Sequence, residues 1–439
     1  MKAILKYGKD GLPIEFSESS GFVGILEPHD PEPLSDLGES VARSLQEPIF
    51  SSPLAEIARG KKSACIVVSD ITRPVPNQLL LLPILKILQT EGIPLSEIVI
   101  LIATGMHRSA TEEEIVNLVG IETAQSFRIV NHVAQRRDDM VEVGKIADNI
   151  PVLINRHYVN ADMKILTGFI EPHMWAGYSG GRKSILPGIS AIETLKHMHG
   201  PEMVSHPQCA YGELAGNPFH EAGLEVMAMA GADFIVNVTL NTRKEVTGVF
   251  TGHPVTAHLQ GCEFLSRHCL CELATPLDFI VTTNSGAPLD CNLYQTVKGI
   301  AGAASVVKPG GDILIASRCQ EGAGNPEYRK ILEMIDSPQM FLDRLMRKEF
   351  FVPDQWCAQE MCQIILEHDV WLYTEGLTPV EIKRYHLNPT NNLEQSIMDQ
   401  LKKHGPEARW AIIPDGPMVI TKLLTSTKQV CNYRSQHTV

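Results

Sequence analysis

Residues 63–74 read Ser-Ala-Cys-Ile-Val-Val-Ser-Asp-Ile-Thr-Arg-Pro, a short apolar run that ends abruptly in polar residues. The run has no helical period and becomes β-branched towards its end, which is typical of a strand buried on both faces of a parallel sheet. In open α/β sheets, ligands bind at the carboxyl ends of the strands. We therefore predict a buried strand over 63–68, followed by a binding loop.

The same pattern recurs further along the chain. Residues 98–102 form a second apolar run, and Ala-Thr-Gly-Met-His-Arg follows it at 103–108. Arg73 and His107 thus follow two successive strands, and adjacent parallel strands would place both side chains over one crevice. Taken alone, Asp70 with Arg73 is also typical of an ion pair that caps a helix, and His107 of a structural hydrogen-bond donor.

A third apolar run, 163–170, leads into Glu-Pro-His-Met-Trp-Ala-Gly-Tyr-Ser-Gly-Gly-Arg-Lys-Ser-Ile-Leu-Pro-Gly-Ile at 171–189. Its glycines would let backbone N–H groups approach an anion, and a helix that begins just after them would add its positive end. A phosphate-binding P-loop is excluded, because Arg182 stands where its second glycine is required. The alternative is a purely structural turn, which would need neither His173 nor Lys183.

Alternating strand-like and helix-like segments predict an α/β fold. Because 439 residues exceed one ordinary core, we expect two α/β domains with mostly parallel sheets and the active site in the cleft between them. We place the N-terminal cofactor-binding and catalytic domain at 1–273, a linker at 274–276, and a C-terminal domain that closes the cleft at 277–439.

Three smaller features complete the predicted organisation. Asp10-Gly11 lies between two alternating runs and predicts a β-hairpin within the first 30 residues, inside the N-terminal domain. The segments 151–157 and 163–170 are predicted to complete the main sheet. The polar last dozen residues are predicted to form a loose tail.

The second domain is predicted to begin with a strand at 279–283 and to continue into a helix. Tyr294, Gln295 and Lys298 would lie in the first turns of that helix. Because Gln295 and Lys298 are three residues apart, they would share one face. Trp175, in the first domain, would either line the pocket or pack in the core, and the sequence leaves both readings open.

Composition narrows the class of protein. A formal net charge of -13 argues against nucleic acid as a partner, but not against a small anion, since distant surface charge is screened over about 10 Å. There is no signal-peptide core and no apolar stretch long enough to span a membrane, so we expect a cytoplasmic protein. His268-Cys269-Leu270-Cys271 is a conceivable zinc site, although it lacks a second pair of ligands.

Four motifs together resemble the nickel-pincer lactate racemase family, which also includes racemases and epimerases of other 2-hydroxy acids. They are Ser-Asp-Ile-Thr-Arg-Pro at 69–74, Thr-Gly-Met-His-Arg at 104–108, the run at 171–188, and Asn-Leu-Tyr-Gln-Thr-Val-Lys-Gly at 292–299. The motifs occur in the family's order and span nearly the whole chain, which makes the resemblance specific.

The resemblance implies a nickel-pincer nucleotide, a pyridinium mononucleotide whose sulfur-containing carboxyl substituents hold nickel through one carbon and two sulfurs. It implies that Lys183 forms a thioamide with this cofactor and that His199 supplies the remaining nickel ligand, with His197 two residues away. The residues implied to hold the mononucleotide are Asp70, Ile71, Thr72 and Arg73.

The resemblance also implies the catalytic and substrate-binding residues. His107 and His173 would act as acid and base. The residues implied to contact the substrate are Arg73, Tyr294, Gln295 and Lys298. The implied partners are a small 2-hydroxy acid and the enzymes of the host that build and insert the cofactor.

The chemistry of 2-hydroxy acids agrees with these roles. Removing the C2 hydrogen as a proton is difficult, because the neighbouring carboxylate stabilises the carbanion poorly. Removing it as hydride leaves a planar 2-keto acid, which can accept hydride on either face. A base must take the hydroxyl proton, and histidine, with a reference pKa of about 6.5, can accept and return a proton near neutrality.

Several alternatives stay open at this point. The substrate could be a larger 2-hydroxy acid, such as a sugar acid, malate or an aryl lactate. A non-catalytic relative could only bind the pincer nucleotide. A hydrolase could use His107, His173 and His199 as zinc ligands.

Replacing Lys183 with alanine separates these alternatives. The pincer interpretation predicts that Lys183→Ala abolishes turnover, because the cofactor loses its covalent attachment, whereas a zinc hydrolase would keep its activity. Turnover by the variant, measured with zinc and with nickel, would contradict the pincer interpretation.

Overall fold

The computed structural model describes residues 1–17, 19–347 and 350–424, so the predicted tail lies outside the described residues. Its strands are β1 (Lys2–Leu5), β2 (Leu12–Glu15), β3 (Phe22–Ile25), β4 (Ala64–Ser69), β5 (Ile98–Ala103), β6 (Arg128–Asn131), β7 (Met140–Ile146), β8 (Ile150–Asn155), β9 (Met163–Phe169), β10 (Pro172–His173), β11 (Gly177–Tyr178), β12 (Phe234–Leu240), β13 (Val246–Gly252), β14 (Leu270–Leu273), β15 (Leu277–Thr283), β16 (Val307–Ala316), β17 (Asp369–Tyr373), β18 (Asn388–Thr390), β19 (Trp410–Ile413) and β20 (Ile420–Leu423). Its helices are α1 (Leu37–Gln46), α2 (Leu54–Ala58), α3 (Asn77–Thr90), α4 (Glu112–Val119), α5 (Ile121–Ser126), α6 (Arg156–Val159), α7 (Ile192–Met198), α8 (Pro201–Val204), α9 (Pro218–Ala230), α10 (Thr256–Cys269), α11 (Leu293–Ala304), α12 (Pro326–Met334), α13 (Pro338–Leu345), α14 (Gln355–Glu367), α15 (Pro379–Arg384) and α16 (Leu393–His404).

The first sheet has the strand order β13-β12-β9-β4-β5-β6, and only β13 runs antiparallel to its neighbour. The predicted strand over 63–68 is confirmed as β4, whose residues 64–68 are all buried. Ile66 pairs with Ile100 of β5 and with Ile165 of β9. The three predicted loops therefore leave one edge of the sheet from adjacent strands.

The second sheet, β18-β17-β16-β15-β19-β3, is parallel throughout, so the predicted α/β class with mostly parallel sheets is confirmed. Its last strand, β3, comes from the start of the chain. The predicted hairpin is also present, with Gly11 in the left-handed region at φ +77°. Residues 1–25, which we predict to lie in the N-terminal domain, contact the second sheet, because β3 pairs with β19 and Phe16 packs against Trp410.

The prediction that 151–157 joins the main sheet was wrong. β8 pairs antiparallel with β7 in a separate two-stranded sheet. Both edges of β9 are already occupied, by β4 and by β12, so no edge is open beside it. The last two residues of the predicted strand belong to α6, which Asn155 caps by accepting a hydrogen bond from the His157 N–H.

One hydrophobic core runs through both halves of the molecule. It includes Val67 and Leu166 of the first sheet, Trp175, and Val297 and Ile315 of the second half. Helices and strands of the second half can therefore pack directly against loops of the first half. Among the described residues, none of the helices combines the length and the apolar character that crossing a membrane requires.

The N-terminal hairpin should contribute to stability through its aromatic contact with the second sheet. Phe16 is 8% exposed and packs edge-on against Phe22 and Trp410, at 5.2 and 5.3 Å between ring centroids. Phe16→Ala should lower the free energy of unfolding by about 3–5 kcal/mol in urea titrations, because a buried ring is lost. Ile4→Ala, at a 71% exposed position of the same hairpin, should change it by less than about 0.5 kcal/mol. Equal effects at both positions would contradict this account.

Candidate active site

Asp70 and His107 meet where β4 and β5 end. Ser69 and Ala103 are paired in register, so the two loops begin side by side. His107 Nδ1 lies 2.7 Å from Asp70 Oδ2, and Thr72 Oγ1 donates to Asp70 Oδ1 at 2.7 Å. The structure therefore joins the first two predicted motifs through a hydrogen-bonded carboxylate and imidazole.

This contact determines which nitrogen of His107 is free. Burial on its own would raise the pKa of Asp70, but hydrogen bonding and charge from His107, with help from Thr72 and Arg73, lower that pKa below its ordinary value. A carboxylate can only accept hydrogen bonds, so Nδ1 of His107 carries the donated hydrogen. Nε2 is left free to exchange a proton with a ligand, and the side chain is 46% exposed.

Arg73 pairs with Glu171, with 3.8 Å between Nη1 and Oε1. The helix-capping alternative is wrong, because α3 has Pro76 at its N-cap and no side-chain cap. Arg73 and Glu171 thus connect the loop after β4 with the loop after β9.

His173 lies in the small β10–β11 hairpin that follows β9. Its Nδ1 accepts hydrogen bonds from the backbone N–H groups of Trp175 and Ala176, at 3.2 and 3.3 Å. In the neutral ring, Nε2 therefore carries the hydrogen. Burial lowers the pKa of His173 well below 6.5, and the positive charges of Lys183 and Lys298 lower it further.

Several positively charged side chains lie around His173. Burial, followed by the charges of Arg73 and Arg182, lowers the pKa of Lys183 well below its ordinary value. Burial and the charge of Arg73 lower the pKa of Lys298 to about 8. Of the acidic side chains, Glu171 acts on both lysines in the opposite direction. The site is thus electrostatically prepared for an anion, whose charge would relieve the repulsion.

The glycine-rich run holds Lys183 through close backbone contacts. Gly180 has φ +78°, and a Cβ there would lie 2.9 Å from Asn237 Oδ1, so no other residue fits without movement. Arg182 is buried and donates to the carbonyls of Ala176 and Tyr178, at 2.6 and 3.0 Å. Arg182 therefore stabilises the loop and does not face the ligand side.

His199 is the last residue of the turn that ends α7. Its Nδ1 lies 3.2 Å from the carbonyl oxygen of Leu195, which fixes the hydrogen on Nδ1 and leaves the Nε2 lone pair available. Its ring packs against Trp356, Phe219 and Trp175, at 4.8, 5.4 and 5.7 Å between centroids. Burial lowers the pKa of His199 to about 4, so the ring is neutral at pH 7.

Phe219 is the common neighbour of three predicted site residues. Its ring lies 5.9 Å from Lys183 Nζ, 5.4 Å from the ring of His199 and 6.5 Å from that of His173. His197, the other candidate ligand, makes none of these ring contacts. Nothing in the sequence singled out Phe219, because its position depends on how α9 packs against the loop.

The second domain contributes α11, which Asn292 caps by accepting from the Gln295 N–H. Tyr294 Oη accepts a hydrogen bond from Trp356 Nε1 at 3.1 Å. Gln295 Oε1 is buried and has no hydrogen-bond partner among the described residues, so it is an acceptor that awaits a ligand. The sequence missed Trp356, which lies on α14 outside every motif.

Two cavities lie between the domains. The larger, with an empty volume of about 1150 Å³ including its open side, is bordered by Ile71, Thr72 and Arg73 of the first domain and by Ser285 and Met418 of the second. The smaller, of about 310 Å³, is lined by residues that include Glu171, His173, Tyr211 and Lys298. Trp175 borders neither cavity and is 4% exposed, so it packs in the core against the histidine rings.

The two zinc alternatives find no support in the geometry. Over residues 1–17, 19–347 and 350–424, no three His, Cys, Asp or Glu side chains are grouped to hold a metal ion. This excludes a three-histidine site formed by His107, His173 and His199 in this structure. Cys269 and Cys271 instead donate to the backbone carbonyls of Leu265 and Glu27.

Both halves of the chain match domain families of known proteins. Residues 7–212 match the lactate racemase N-terminal domain, and residues 273–421 match the lactate racemase C-terminal domain. Lactate racemase from Lactiplantibacillus plantarum is 36% identical over 386 residues, covering 88% of this chain and 91% of the relative. Lactate racemase from Thermoanaerobacterium thermosaccharolyticum is 32% identical over 422 residues, covering 95% and 98%.

Two solved structures resemble the fold of this chain. The lactate racemase apoprotein from Thermoanaerobacterium thermosaccharolyticum superimposes with a TM-score of 0.90 at 32% identity, covering 96% of this chain and all of that one. A protein from Thermotoga maritima superimposes with a TM-score of 0.68 at 20% identity, covering 90% of this chain and all of that one, which shows a shared fold.

Lys183 should be unusually reactive in protein made without a cofactor. Because burial and neighbouring cations favour its neutral amine, Lys183 should be acylated with an apparent pKa below that of Lys2, an exposed lysine paired with Glu15. Competitive isotope labelling from about pH 6 to 10, followed by peptide mass mapping, measures both values. An apparent pKa of Lys183 equal to or higher than that of Lys2 would contradict the electrostatic description of the site.

Proposed function

The chain belongs to the lactate racemase family and is an isomerase, and we propose that it interconverts the enantiomers of lactate or a closely related 2-hydroxy acid. The observation that supports this proposal is the electrostatic effect of Arg73 on groups from two different loops. Arg73 is close enough to lower the pKa of both Asp70, the partner of His107, and His173. A small carboxylate bound by the cations around Arg73 would therefore share one site with two imidazoles, that of His107 from the loop after β5 and that of His173 from the loop after β9.

The residues fit a nickel-pincer nucleotide. Lys183, whose pKa is lowered by burial and by the charges of Arg73 and Arg182, would hold it covalently, since only the free amine is nucleophilic. His199 would donate its free Nε2 to nickel, and a single protein ligand suffices when the nucleotide brings the other donors. When bound, this group would supply an electrophilic pyridinium that accepts the C2 hydrogen as hydride.

Ile71, Thr72 and Arg73 border the larger cavity and would contact the mononucleotide. Asp70 has a different part in the proposal, because both of its oxygens are already bonded, to His107 and to Thr72. Asp70 would therefore influence the mononucleotide only indirectly, through the side chains of His107 and Thr72 that it holds in place. Loading would require the host enzymes that build and insert the nucleotide.

The chain's own residues would bind the substrate and move its hydroxyl proton. Arg73 and Lys298 would hold the carboxylate, and Gln295 Oε1 would accept the hydrogen bond that it lacks at present. His107, with Nε2 free, would take the hydroxyl proton of one enantiomer, while Asp70 stabilises the resulting imidazolium. The carboxylate of the substrate would offset the surrounding charges and raise the pKa of His173. To take the hydroxyl proton of the other enantiomer on Nε2, His173 would have to adopt the tautomer with its hydrogen on Nδ1 and give up the hydrogen bonds from the Trp175 and Ala176 N–H groups.

The same cation cluster would hold the planar 2-keto acid between the two half-reactions. Its carboxylate would stay bound while the keto group turns over, so that the opposite face of the keto carbon receives the returning hydrogen and the other enantiomer forms. Tyr294 is fixed by Trp356 and would line the substrate side of α11.

The direct test is to purify the protein from cells that make the pincer nucleotide and to incubate it with L-lactate. We expect a mass adduct on the peptide that contains Lys183, stoichiometric nickel, and conversion towards equal amounts of L- and D-lactate by chiral chromatography. Unmodified Lys183 in cells that load a related racemase would overturn the cofactor assignment. A full adduct without conversion of any 2-hydroxy acid would favour a binding-only relative.

Substitution of each catalytic histidine should stop racemisation without removing the cofactor. His107→Gln and His173→Gln should each lower kcat/KM by at least about 10²-fold, because a proton acceptor is lost, and the Lys183 adduct should stay. His199→Gln should lose nickel. His197→Gln is the matched control two residues away and should behave like the wild type; loss of nickel in this variant instead would reassign the metal ligand.

A further inference from the structure

Glu360 is a half-buried carboxyl group that no motif contains. It lies on α14 of the second domain, and its Oε2 accepts a hydrogen bond from Trp175 Nε1 of the first domain at 2.9 Å. Burial raises the pKa of Glu360 to about 7, with the indole contact opposing that rise. An indole N–H can only donate, and a carboxyl oxygen accepts it whether or not the group is ionised.

Trp175 touches both histidines on its side of the site. Its backbone N–H donates to His173 Nδ1 at 3.2 Å, and its ring lies 6.0 Å from that of His173 between centroids. It meets the ring of His199 edge-on, at 5.7 Å and 83°. A rotation of the Trp175 side chain would therefore disturb the ring positions of two candidate site residues at once.

The docking of α14 does not depend on Glu360 alone. Gln359 Nε2 donates to the carbonyl of Pro201 and to Ser205 Oγ, at 2.8 and 2.7 Å. Trp356 packs on His199 one turn earlier on the same helix. These contacts attach α14 to the segment after His199, whereas the Glu360 contact specifies the orientation of one indole ring.

We propose that Glu360 is a positioning residue that fixes the Trp175 indole across the domain boundary and thereby sets the rings of His173 and His199. The proposal rests on the proposed function for its kinetic consequences, but the orientation of Trp175 is a property of the protein alone. It requires only a hydrogen-bond acceptor at position 360. A negative charge there is unnecessary.

The kinetic test uses Glu360→Gln, which keeps an acceptor of the same shape, and Glu360→Leu, which removes it at similar volume. In nickel-loaded protein, Glu360→Leu and Trp175→Phe should each lower kcat about tenfold, the factor that matches one lost hydrogen bond, with KM changed less than about threefold. Glu360→Gln should restore kcat to near the wild-type value. The double variant should be no slower than either single variant, because both remove the same contact.

A second readout needs no cofactor and no activity. The chain has four tryptophans, so selective ¹⁵N labelling of indole groups gives four N–H signals, and Trp175→Phe assigns the signal of Trp175. In the apoprotein, Glu360→Leu should speed hydrogen exchange of this N–H by at least about tenfold, and Glu360→Gln should leave it protected.

The outcomes separate the two proposals. If wild-type protein does not racemise lactate but the exchange results are as expected, the function proposal fails and the positioning contact stands. If exchange of the Trp175 N–H is the same in Glu360→Leu as in the wild type, the positioning proposal is overturned whatever the kinetics. If Glu360→Gln is as slow as Glu360→Leu, the charge is required and the proposal is equally overturned. Should Glu360→Leu fail to fold, Trp175→Phe with unchanged kcat would overturn it.

Discussion

The parallel pairing of β4 with β5 on one side and with β9 on the other is the constraint on which the candidate site depends. Three loops leave the same edge of the first sheet because these strands are adjacent and share one direction. Residues more than a hundred positions apart in the chain, such as Asp70 and His173, are thereby brought into one electrostatic environment. The order of the chain reverses around β4, and such a reversal point is where open α/β sheets bind their ligands.

Within that environment, burial and repulsion between like charges both lower the pKa values of the lysines. Arg73, Lys183 and Lys298 lie close enough for each to affect its neighbours, and burial has already weakened the charged form of both lysines. Holding these cations close together costs free energy, which an anionic ligand would offset on binding. The two histidines respond differently to the same surroundings. His107 Nδ1 faces the Asp70 carboxylate, whereas His173 Nδ1 faces two backbone N–H groups, which oppose a cationic His173.

The two halves of the molecule are more interdependent than two consecutive domains would be. β3, near the start of the chain, pairs with β19 in the second sheet, and β14 of the first half pairs with β20 near the end of the described chain. A continuous apolar core connects the halves. Groups on α11 and α14 therefore face the loops of the first sheet at short range, and a single residue such as Glu360 can act on a ring in the other half.

The sequence by itself determined the α/β class, the buried strands β4, β5 and β9, and the loops that follow them, because apolar runs without helical period and the polar residues at their ends are local patterns. It also identified Lys183 and both histidines as chemically distinctive, since a glycine-rich turn has no need of them. Tertiary structure alone decided that β3 joins the second sheet, that β8 stays outside the first, and that Trp356, Phe219 and Glu360 surround the site. Strand pairing and ring packing of this kind depend on which edges and faces remain open once the rest of the chain has folded, and no local pattern encodes that.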